Sequence, residues 1–69
     1  MGEKLTDEQF VRALNLSTIC TNKNWKFTTE MQIASAIAKA KNKELIISQI
    51  EKIITTNSEQ DFLNKLNSL

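Results

Sequence analysis

The sequence predicts an all-α fold: a compact bundle of four helices plus a one-turn helix, at about 6–15, 17–21, 29–41, 43–56 and 59–68. Three observations predict it. Apolar residues recur at helical spacing through most of the chain. A Ser, Thr or Asn stands before each periodic stretch, where a helix N-cap belongs: Thr6, Ser17, Thr29, Asn42 and Ser58. One Gly and no Pro leave little of the turn chemistry that β-rich folds require, or of the glycine that phosphate loops require.

The first helix carries the most specific local signal. Thr6 and Gln9 have capping-box spacing, Leu5 and Phe10 stand where a hydrophobic staple needs them, and Asp7 and Glu8 complement the positive end of the helix dipole. Phe10, Val11 and Leu14 are its expected buried stripe. Leu16, Ile19 and Cys20 would fall on the other face of a continued helix, so a break near Asn15 is expected. A short turn capped by Ser17 would then bring those three inside.

Residues 21–28, TNKNWKFT, read as a connecting loop holding the only Trp, with Phe27 two residues later. Thr29 is the expected cap of the next helix, with Gln32 as its box partner. Ile33, Ala36, Ile37 and Ala40 centre its apolar side, and Met31, Ala34 and Ala38 widen that side to more than half the circumference. Such a helix is expected at the centre of the bundle, touched by several others. Asn42 caps the third helix, whose Ile46, Ile47, Ile50, Ile53 and Ile54 fill an arc of roughly 120°, the width of one buried face. Leu45 lies nearly opposite. Ser58 opens the last helix, with Asp61 as box partner and Phe62, Leu63, Leu66 and Leu69 as the stripe. Short connections favour antiparallel neighbours.

Sixty-nine residues make one domain, 1–69, near the lower end of what a single core supports. A lone Cys20 and the absence of His remove an intrachain disulfide and the usual Cys/His zinc sites. Self-association or good helix packing must serve instead, and Leu45 is a candidate homodimer contact. Nine basic against eight acidic residues give a net charge of +1, which selects no partner class. The chain has no run of about twenty apolar residues and no signal-peptide pattern at its start, so a soluble, cytoplasmic protein without membrane contact is expected. MGEKLT formally fits the myristoylation pattern at Gly2, a match too short to carry an argument.

Catalysis is not expected. The carboxylates stand mostly in first helical turns, where capping and the dipole explain them, and Cys20 shares helical spacing with Leu16 as a small buried side chain would. Lys39, Lys41 and Lys43 cluster at a helix junction and are the candidate nucleic-acid contacts. Ile47-Ser48-Gln49-Ile50-Glu51 also resembles the second-helix ending of phage-type repressors. The resemblance stops there, because Ile37 stands where the motif wants Ala, Lys41 where it wants the turn Gly, and Asn42 where it wants a buried aliphatic. The expected function is therefore a non-enzymatic module that binds and modulates another protein, with no cofactor or metal. Trp25, Phe27 and Leu45 are the candidate partner anchors, and a small DNA-binding protein using the lysine junction is the alternative.

Overall fold

The structure, a computed structural model, describes residues 4–69, so Gly2 lies outside the described residues. Four helices form: α1 (Asp7–Asn22), α2 (Phe27–Lys39), α3 (Lys43–Ile53) and α4 (Glu59–Asn67). Arg12 of α1 reaches Glu44, Ser48 and Glu51 of α3, and Lys23 just past α1 reaches the Thr56 carbonyl just past α3. Those two helices therefore run the same way. α2 and α4 run the other way, with Thr29 beside Glu59 and Lys39 near Asn67. Chain neighbours are antiparallel, as the short connections imply.

Among the described residues, the nine buried apolar side chains are Leu16 and Cys20 of α1, Ile33 and Ile37 of α2, Ile47, Ile50 and Ile54 in and just after α3, and Phe62 and Leu66 of α4. The isoleucine stripe is the middle of that core. Ile46 and Ile53 pack against it half-buried, while Leu45 faces solvent on the opposite side of α3, as its spacing requires. The local caps form as read: Thr6 and Gln9 make a reciprocal box, Asn42 accepts from the Leu45 amide, and Ser58 accepts from the Asp61 amide. Asp61 does not close a box. Its carboxylate pairs with Lys65 at 3.2 Å instead. Leu69, expected on the α4 stripe, is half-exposed.

α1 does not break at Asn15, and the expected one-turn helix at 17–21 is its last turn. The buried face is Ala13, Leu16, Ile19 and Cys20, with Arg12 beside it, and Phe10, Val11 and Leu14 are left exposed. No Gly or Pro interrupts the helix, and small Ala13 and Cys20 let α1 lie close to its neighbours. Thr18 and Thr21 bond back to carbonyls four residues earlier and cap nothing. The helix then closes in a Schellman motif: the Trp25 amide bonds the Cys20 carbonyl and the Asn24 amide bonds that of Thr21. Asn24 holds the left-handed conformation this motif needs (φ 58°), which Asn tolerates better than most residues.

α2 begins at Phe27, two residues before the expected cap. Thr29 is buried inside the first turn, and its hydroxyl donates to Glu59 of α4 at 2.6 Å. The same Glu59 oxygen accepts from the Lys26 amide at 2.8 Å. A carboxylate from another helix thus accepts the amide of the N-cap residue, the part of a capping box that Gln32 was expected to play, while no side chain caps the first-turn amides as Thr29 was expected to. α2 touches all three other helices, yet Met31, Ala34 and Ala38 remain exposed, so its wide apolar side is only partly covered. No described helix is long and apolar enough to cross a membrane.

Candidate apolar groove between the first two helices

The apolar surplus of α1 and that of α2 lie side by side. Phe10 and Leu14 on one helix and Ala34 and Ala38 on the other border an open groove of about 470 Å³, with Ile33 and Ile37 beneath. Phe10 is 54% exposed and Leu14 51%. Met31 at 56% and Phe27 at 71% stand at helical spacing with Ala34 and Ala38, continuing the apolar surface along α2. Helix α1 sets this face because its other side is fixed to α3. The Arg12 guanidinium grips Glu51 through two bonds of 2.7 and 3.1 Å and Glu44 through one of 2.6 Å. It holds both carboxyls below their ordinary range. With α1 locked in that rotation, Phe10 and Leu14 cannot turn inward.

Two charged groups and the Ser17 hydroxyl line the groove. At one end Glu30 faces Ser17, and Glu30 takes part in none of the three ion pairs among the described residues. Toward the other end lies Lys43, which is buried. Its ammonium donates to the carbonyls of Ile37 (2.8 Å), Ala38 (3.0 Å) and Ala40 (2.8 Å), closing the C-terminus of α2. The groove therefore offers a partner an apolar floor, a ridge of Phe10 and Leu14 facing small Ala34 and Ala38, and one carboxylate with no ion-pair partner among the described residues.

The expected partner anchors are dispersed. Trp25 folds back, its ring 5.1 Å from that of Phe62 and under the Lys23 ammonium at 5.3 Å, so it plugs the end of the bundle. Phe27 extends the groove surface. Leu45, 53% exposed, stands on the far side of α3. Of the three junction lysines, Lys39 and Lys41 are exposed and Lys43 has no free donor to offer a phosphate. Sequence reasoning missed Phe10, Leu14 and Glu30. Its own signal for them was the apolar width of the second helix, more than one chain of this length could cover.

No group of three His, Cys, Asp or Glu suited to a metal occurs among the described residues. Cys20 is fully buried, and desolvation followed by the charges of Glu30 and Glu59 pushes its thiol up to about 11. Such a thiol is a poor nucleophile. No protein-family model, curated protein or solved structure matches this chain.

Proposed function

We propose that this chain is a small, non-enzymatic protein–protein interaction module whose contact surface is the groove face of α1 and α2. The observation that carries it is five large apolar side chains, Phe10, Val11, Leu14, Phe27 and Met31, each at least half-exposed on two adjacent helices. At roughly 100 Å² apiece they expose about 500 Å², with Phe10 and Leu14 lining the groove itself and the other three on the same two helices. The non-enzymatic reading is supported by the burial of Cys20 and by Glu44, Glu51 and Glu59 being engaged in joining helices.

The test is affinity isolation from the native host with the parent chain, a Phe10→Ser/Met31→Ser variant and a Leu45→Ser variant, each with its thermal melt. A partner is expected on the parent and the Leu45→Ser chain and absent from the groove variant, with all three folded. Retention of the partner by the groove variant would move the contact elsewhere.

The alternative, DNA binding through the helix junction, is supported by exposed Lys39 and Lys41 but not by Lys43. No affinity for random duplex DNA at physiological salt is expected. A micromolar complex that weakens as salt rises, with Lys39→Ala and Lys41→Ala each reducing the salt slope by about one unit, would favour the alternative.

A further inference from the structure

We infer that the occupant of the groove is an amphipathic helix of another protein, about two turns of it, with apolar anchors on one face and a Lys or Arg just beyond the last anchor to meet Glu30. The inference rests on the interaction reading above and names the partner's chemistry. Between Phe10 and Ser17, α1 advances about 10 Å, the distance covered by side chains at i, i+4 and i+7 on a second helix. Small Ala34 and Ala38 on the α2 side let a third backbone approach, while Phe10 and Leu14 form the ridge that seats it.

Charge selects among occupants of that shape. Among the described residues, Glu30 lines the apolar groove at one end without an ion-pair partner, and the only ammonium lining the groove is that of Lys43, engaged by three carbonyls. A wholly apolar helix would cover the carboxylate and leave it unmet, which is costly. A second copy docked groove to groove would bring a second Glu30 and no free ammonium. A cationic side chain at the Ser17 and Glu30 end satisfies the carboxylate, and a helix lying in either direction can present one there.

The probes are blocked peptides of about 15 residues, long enough to reach helical form on binding, titrated into the isotope-labelled full chain. Each has Leu at i, i+4 and i+7 of an Ala/Gln background and, one turn beyond, Lys, Glu or Gln. The Lys peptide is expected to shift the amides of residues 10–17 and 30–38 and to bind tightest. Glu30→Gln should weaken it about threefold or more and remove its advantage over the Gln peptide, and Glu30→Lys should reverse the order in favour of the Glu peptide. A melt of each variant separates lost binding from lost fold. Equal binding of the Lys and Glu peptides at these amides would overturn the cationic helix and leave the contact face standing. Concentration-dependent shifts of the same amides without peptide, with a dimer in sedimentation, would assign the groove to a second copy. No shift from any peptide would overturn the inference, and the isolation experiment decides the contact face separately.

Discussion

Lys43 directs its ammonium at three carbonyls where α2 ends, at Ile37, Ala38 and Ala40, and is buried while doing so. Removing the ammonium takes a charged donor from all three carbonyls, of which that of Ile37 keeps the Ala40 amide, and strips a buried side chain of its partners, so Lys43→Met should cost about 2 kcal/mol, or about 10 °C in melting temperature for a chain this size. Exposed Lys41→Met should move it little. Equal melts for the two variants would show that the cap contributes nothing. Glu59 acts at the opposite end of α2. Its carboxyl titrates below the ordinary value of 4.5, chiefly because it accepts the Thr29 hydroxyl and then the Lys26 amide. Glu44, Glu51 and Asp61 are lowered too, by Arg12 in the first two and Lys65 in the third. A carboxyl lowered by folding stabilises the fold above its unfolded pKa, and that contribution fades as pH falls through the folded one. Melting temperature should therefore fall on acidification below about pH 4.5, and Glu59→Gln should start lower at neutral pH and lose less between neutral pH and about pH 3. An acid-independent difference between parent and variant would mean that the carboxylate's charge is irrelevant to the latch.

At the scale of the helices, what was legible in the sequence was local. The Thr6 and Gln9 box, the Asn42 and Ser58 caps and the isoleucine stripe of α3 each depend on residues within a few positions of one another, and each formed as read. What was not legible came from across the bundle. Glu59 ties the Lys26 amide and the Thr29 hydroxyl at the start of α2, and Arg12 fixes the rotation of α1 through residues more than thirty positions away. That rotation is why the three large residues Phe10, Val11 and Leu14 lost the core to Ala13, Leu16 and Cys20. Apolar size predicts burial only when the neighbour's polar contacts agree. Continuity of α1 through Asn15 gives a direct check, because Pro inside a helix removes a hydrogen bond and clashes with the preceding turn. Asn15→Pro should cost about 3 kcal/mol or more, read by chemical denaturation. Near-parent stability would restore the break that the hydrophobic pattern first implied.

At the scale of the whole molecule, among the described residues, a nine-residue core built around the Ile47, Ile50 and Ile54 stripe holds four alternating helices, and five of the seven large apolar side chains left exposed stand on α1 and α2, with Leu45 and Leu69 elsewhere. The candidate site was half legible: the over-wide apolar side of α2 was read as a need for covering helices, and the chain supplies too few of them. The resulting groove is the basis of the functional proposal, which requires that its large side chains contribute little to the fold. Equilibrium unfolding of Phe10→Ser/Met31→Ser beside the single variant Leu16→Ala measures this most directly. Leu16 is 1% exposed, and its truncation should cost about 3 kcal/mol through the cavity it leaves. The double variant is expected to lose less than that single one and to unfold as cooperatively as the parent. A double variant less stable than Leu16→Ala would make Phe10 and Met31 part of the core and contradict the reading of this face as a contact surface.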